Sequence, residues 1–166
     1  MEKKSRNFKN CLVLVSVFIA PLFVVTAAAM EPMPEHEHSM VQIPDGKIAP
    51  SLRLEIHRDN KSGFNLAILT KNFFLEPPEQ SGGDNGELLE GHAHIFINGQ
   101  KVYRAYSTYI HLPSELFTSG INQVMVSLND HDHNTWSKGQ RMVLSTVVID
   151  TSKADFLKHS FNVFGD

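Results

Sequence analysis

The sequence predicts an all-β fold of antiparallel strands. Three observations carry that expectation. Apolar and polar residues alternate over short stretches, as where Leu52, Leu54 and Ile56 interleave with Arg53, Glu55 and His57. Asn98-Gly99, the preferred pair for a type I′ hairpin turn, joins two such stretches. Clusters of Gly, Pro, Asn and Asp punctuate the rest of the chain at short intervals, where strands end.

The elements follow in order. Residues 52–57 form the first half-buried strand, and Asp59-Asn60-Lys61-Ser62-Gly63 supplies turn chemistry. Phe64, Leu66 and Ile68 restart the alternation, and Phe73-Phe74-Leu75 continues an apolar segment. Residues 77–91 hold two Pro and four Gly and read as a long surface loop. Residues 92–97 and 100–105 are the arms of the Asn98-Gly99 hairpin; Ala93, Ile95 and Ile97 share one face, and His92, His94 and Phe96 the other. In that register Tyr103 lies opposite His94. Tyr109-Ile110-His111-Leu112 is a short strand stopped by Pro113, with Ile110 and Leu112 inward. Val124, Val126 and Leu128 mark another strand, residues 129–139 a polar loop, and residues 143–149 the last strand. Ser152 with Asp155 resembles a capping box for a short C-terminal helix carrying Phe156 and Leu157. Six or seven short strands in about 100 residues point to a sandwich of immunoglobulin-like or cupredoxin-like type. The domain should span residues 51–150, with residues 151–166 as a terminal helix or tail.

Residues 1–29 read as a signal peptide. A basic start holds Lys3, Lys4, Arg6 and Lys9, an apolar run covers residues 11–25, and Thr26-Ala27-Ala28-Ala29 supplies small residues for cleavage after Ala29. The run is too short to span a bilayer, which needs about 20 apolar residues. A periplasmic or secreted protein of residues 30–166 is expected, without a membrane span. Cleavage removes Cys11, the chain's one cysteine. Disulfides, thiol catalysis, cysteine zinc sites and blue-copper centres are thereby excluded from the mature chain. Beyond residue 29 stand 11 of the 15 Lys and Arg and 17 of the 18 Asp and Glu, a net of −6. An acidic domain without a basic stripe is a poor nucleic-acid binder.

All nine histidines also lie beyond residue 29, and they carry the functional signal. His92 and His94, spaced i, i+2 on a strand, project from one face. His131 and His133 repeat the spacing within Asn129-Asp130-His131-Asp132-His133. If the strand through Val126 runs on unbroken, its outward parity carries Asn129, His131 and His133. His111 is outward on a third strand. Imidazole suits copper and zinc, and Asp130 and Asp132 are placed to orient the rings. The plainer account of any one such pair is a solvated strand face; the recurrence of the spacing argues for ligands. His57 and His159 have no such company and read as surface residues.

Residues 30–50, with four prolines, read as an extended, flexible tail. In it Met30, Met33 and Met40 surround His36 and His38, a mixture of thioether and imidazole that favours copper(I). A polar spacer is the alternative.

Asn72-Phe73-Phe74-Leu75-Glu76-Pro77, then Gly91-His92-Ala93-His94 opening the hairpin, then Leu128-Asn129-Asp130-His131-Asp132, occur in this order. Together they resemble a family of small exported bacterial immunoglobulin-like domains with GHAH and LNxxDH-type motifs, over residues 52–150. The third motif here reads LNDHDH, one spacing off that pattern. The resemblance implies a β-sandwich in the bacterial envelope and brings no reaction with it.

Enzyme chemistry finds little support. No G-x-S-x-G elbow, P-loop or H-E-x-x-H is present, and the expected first residue, Met30, is not the histidine that a histidine-brace oxygenase needs. Copper–zinc superoxide dismutase, which an exported HxH strand also resembles, needs cysteines this chain lacks. The sequence therefore predicts a non-catalytic periplasmic metal-binding protein, copper foremost and zinc second. His92, His94, His131 and His133 are the expected ligands, His111 a fifth, and Met30, Met33, His36, His38 and Met40 a softer accessory site. The alternative is an interaction or assembly module of the envelope without metal, binding another protein through Tyr103, Tyr106, Tyr109 and Trp136.

Overall fold

The computed structural model describes residues 39–83, 85–153 and 158–162, and within them the fold is all-β. The strands are β1 (Met40–Gln42), β2 (Ser51–Arg58), β3 (Phe64–Lys71), β4 (Phe73–Leu75), β5 (Leu89–Ile97), β6 (Gln100–Ala105), β7 (Tyr109–Leu112), β8 (Ile121–Asn129), β9 (Thr135–Lys138), β10 (Arg141–Met142), β11 (Leu144–Asp150) and β12 (Lys158–Asn162). Nine of them form one sheet, while β2, β3 and β7 form a second, antiparallel throughout. In the large sheet β4 and β6 share one edge of β5, β8 pairs with its other edge, and β11 and β9 follow on β8. Most pairings are antiparallel; β1 on β9 and β4 on β5 are parallel.

The predicted parity decides the core. Leu52, Leu54 and Ile56 of β2 and Phe64, Leu66 and Ile68 of β3 share one apolar cluster with Ala93, Ile95 and Ile97 of β5 and Val124, Val126 and Leu128 of β8. Leu112 joins them from β7 and leaves Tyr109 outside, 75% exposed. With a period of two, this set fixes which face of β5 remains for His92 and His94. Asn98 and Gly99 both adopt positive φ, +52° and +83°, as a type I′ turn requires. Asn98 also ties the hairpin to β8: its Oδ1 accepts from the Gln123 amide at 2.9 Å, and its Nδ2 donates to Asn122 Oδ1 at 2.9 Å.

Several boundaries differ from expectation. The segment 39–50 is not all tail, because β1 docks on β9 and the Ile43 amide continues onto Ser137 O at 2.9 Å. The surface loop ends before Leu89, which is buried and opens β5. The polar loop after β8 contains a strand of its own, β9. Residues 158–162, where the expected helix would continue, are instead a strand on β11. Ser152 bonds back to Asp150, from its amide at 3.0 Å and its hydroxyl at 2.6 Å, in an Asx turn that ends β11. Asp155, Phe156 and Leu157 lie outside the described residues, as do residues 1–29, the expected signal peptide.

Candidate metal centre

The site is built from the face of β5 that the core leaves free. His92 and His94 project from it side by side, 1% and 3% exposed. They are on the non-core face, yet they are not the solvated pair that an outward strand face suggests. Neighbours cover them: the Tyr106 ring lies 5.7 Å from that of His92, and Phe96 stands edge-on to His94 at 6.3 Å.

The third member comes from the turn after β8, by a different route than parity. β8 stops at Asn129, and Asp130 closes the turn that follows. The Asp130 amide donates to Asn134 O at 3.0 Å, and its carboxylate accepts from the Asn134 amide at 2.8 Å and from Asn134 Nδ2 at 3.0 Å. His133 sits at the end of this turn with φ of +71°. The left-handed region costs a residue with a Cβ about 1–2 kcal/mol, and here it aims the ring back at β5. Among the described residues the Asp130 carboxylate bonds Asn134 and no histidine ring, contrary to the expectation; it shapes the turn that presents one. Asp132 is exposed and acts on His133 through its charge.

The three rings converge. His94 Nε2 lies 3.0 Å from His92 Nε2 and 3.1 Å from His133 Nδ1, and ligand nitrogens of all three fall within 4.8 Å of one another. Bonds of about 2.0 Å to one ion, at angles of about 95–110°, place neighbouring nitrogens about 3.0–3.4 Å apart. Contacts of 3.0 and 3.1 Å suit either a shared ring proton or two bonds to a common ion. A proton bridges two nitrogens, whereas a metal ion serves all three.

Electrostatics keep these rings in the form that binds metal. Burial, then the neighbouring His133 and Arg104, pushes His92 down to about 4 from 6.5. Burial, then His92 and Lys101, pushes His94 down to about 3. His133 is lowered too, chiefly by desolvation and the charges of Arg104 and Lys101. Near neutral pH all three nitrogen donors are unprotonated and need release no proton to bind an ion.

The chain matches no family model, no curated protein and no solved structure. The geometry of the cluster is therefore the ground on which function is argued.

The remaining expected ligands are placed as follows. The His131 ring lies 6.1 Å from that of His92, against 4.8 and 4.9 Å for His94 and His133, so it flanks the group without joining it. Both its nitrogens are buried without a hydrogen-bond partner. It borders a cavity of about 370 Å³ lined also by Lys47, Glu90, Asp130 and Trp136. His111, expected as a fifth ligand, is not brought into the group. It stands on β7 in the other sheet, exposed, with Nδ1 3.1 Å from Asn65 Oδ1. Its parity was read correctly, but parity says nothing about which sheet a strand joins. Met40 is exposed on β1, abreast of Thr135. Met30, Met33, His36 and His38 lie outside the described residues.

The aromatic surface of the alternative reading is divided. Tyr103 is on the large sheet, Tyr109 on the small one, and Trp136 packs against the core. Nor does Tyr103 face His94. An irregularity between Ile95 and Phe96 shifts the hairpin register, so Ile95 pairs with Tyr103 and His94 with Arg104. Tyr106 and Arg104 are thus site neighbours that the ideal hairpin register misses, and Asp130 with Asn134 is a turn signal the sequence did contain.

Proposed function

We propose that the protein is an exported metal-binding protein that handles copper in the bacterial periplasm. The observation that carries the reading is the convergence of the buried His92 and His94 with His133, with two nitrogen contacts of 3.0 and 3.1 Å. Three imidazoles suit copper and zinc alike; copper is favoured because Met30, Met33, His36 and His38, a mixture of thioether and imidazole donors, precede the fold. The basic start, apolar run and Ala27-Ala28-Ala29 support export. Binding rather than catalysis is the role proposed, since the sequence offers no nucleophile motif to act beside the ion.

The test is a titration with copper(I), copper(II) and zinc, each against a competing chelator of known strength. The reading expects one copper per chain retained where zinc is surrendered. Retention of no metal would sink it, and preferential retention of zinc would keep the site but change the metal. For export, cell fractionation should recover a periplasmic protein beginning at Met30, and an intact, cytoplasmic chain would refute that part.

A further inference from the structure

We propose that metal binding draws the His131 ring into the His92–His94–His133 group as its fourth ligand. The inference rests on the metal-binding reading above and deepens it, since the turn that presents His133 then supplies two of the four donors.

It starts from an unmet demand. A neutral imidazole offers one donor and one acceptor, yet both His131 nitrogens are buried without a hydrogen-bond partner. Buried polar groups are normally paired, so a ring left this way points to something outside the chain that it binds. The backbone around it is held, with the Asp130 amide on Asn134 O at 3.0 Å and the His133 amide on Asp130 O at 3.2 Å. The side chain is not held in the same way. It has no polar partner, and it borders the cavity of about 370 Å³ rather than being packed on all sides. Rotation about its own torsions, from one staggered position to another, therefore moves the ring while the turn stays as it is.

The distances set how far the ring must travel. Imidazoles that share one ion through bonds of about 2.0–2.1 Å, in tetrahedral array, have ring centroids about 5 Å apart. The three pairs among His92, His94 and His133 stand at 4.8, 4.9 and 5.3 Å, already at that spacing. His131 lies 6.1 Å from His92, about 1 Å outside it. Of the other described histidines, His57 and His111 stand on the small sheet and His159 on β12. Among the described residues the group that could hold an ion has three donors. That is one short of the four that zinc takes tetrahedrally and copper(II) in tetragonal array. Three donors set by the fold and a fourth recruited by the ion make a centre that tightens as it loads.

The experiment uses protein purified from cells expressing the full chain, in wild-type form, as His131→Ala, as His94→Ala, and as the double variant His36→Ala, His38→Ala. Each is offered one equivalent of copper(II). Imidazole ligands are counted by X-ray absorption, and affinity is read by chelator competition. We expect four imidazoles in the wild type and in the double variant, and three in His131→Ala with affinity reduced at least tenfold. A wild type that retains copper on three imidazoles overturns the proposal while leaving the three-histidine site standing, and that count depends on no variant folding. A His131→Ala variant with an undiminished count overturns it too. Loss of one imidazole in the double variant assigns the fourth position to the residues before the fold and equally overturns it. A wild type that retains no copper, or His94→Ala binding as the wild type does, refutes the metal reading itself and this inference with it.

Discussion

Acidification should destabilise the metal-free protein through its buried histidines, by an amount the site itself sets. His92 and His94 hold folded pKa values of about 4 and about 3, against 6.5 for an unburied imidazole. Below 6.5 the unfolded chain takes up protons that the fold refuses. Stability therefore falls as pH drops through 6.5, and keeps falling until about 4 for His92 and about 3 for His94. At pH 5, about 1.5 units into that window, each group costs roughly 2 kcal/mol and the pair up to roughly 4 kcal/mol. His133, shifted in the same direction, adds to the slope. Asp59 and Asp150, lowered from 3.8, act only in more acidic solution, and Glu76, raised from 4.5 by its hydrogen bond to Glu90, acts in the opposite sense. A domain of ordinary stability, about 5–15 kcal/mol, would lose a large share of it. The assay is denaturant unfolding at pH 7 and pH 5 with a chelator present, followed by Trp136 fluorescence. A stability unchanged between the two pH values would refute the reasoning. So would a His94→Leu variant that loses as much stability on acidification as the wild type.

Three further outcomes are expected. His94→Ala removes the nitrogen in contact with both others and should abolish uptake of one equivalent of metal, whereas His111→Ala on the other sheet should leave uptake unchanged in the same competition titration. Asp130→Ala releases the turn that aims His133, so affinity should fall about 10–100-fold, the range for groups that orient ligands, while circular dichroism still reports the β-sheet. Gly91→Ala should destabilise the protein by more than about 3 kcal/mol in thermal or denaturant unfolding. Gly91 has φ of +148°, and a Cβ there would meet Asn129 O at 2.0 Å, at the point where β5 and β8 pair beside His92.

The fold was legible where parity decides it. Leu52, Leu54, Ile56, Ala93, Ile95, Val124, Val126 and Leu112 all point as their alternation predicts, because a strand with one face on a core has no other choice. Alternation also placed His92 and His94 on one face. It could not say that this face would be covered, since the cover comes from Tyr106 and from a turn distant in sequence. His133 was named for the wrong reason. Its ring reaches the cluster through the Asp130–Asn134 turn and a left-handed backbone, not through an unbroken strand. His111 shows the limit of pattern reasoning: its outward direction was right, and its sheet, which depends on long-range pairing, was not available from local sequence. The short strands β1 and β12 were missed because three to five residues carry too few alternations to register.

The central claim is that His92, His94 and His133 hold one metal ion. Anomalous diffraction from crystals of the copper-loaded protein tests it most directly. The account predicts a single strong peak about 2.0–2.1 Å from His92 Nε2, His94 Nε2 and His133 Nδ1. A crystal with no peak between these three nitrogens, or with its copper at His111 or elsewhere on the surface, would contradict it.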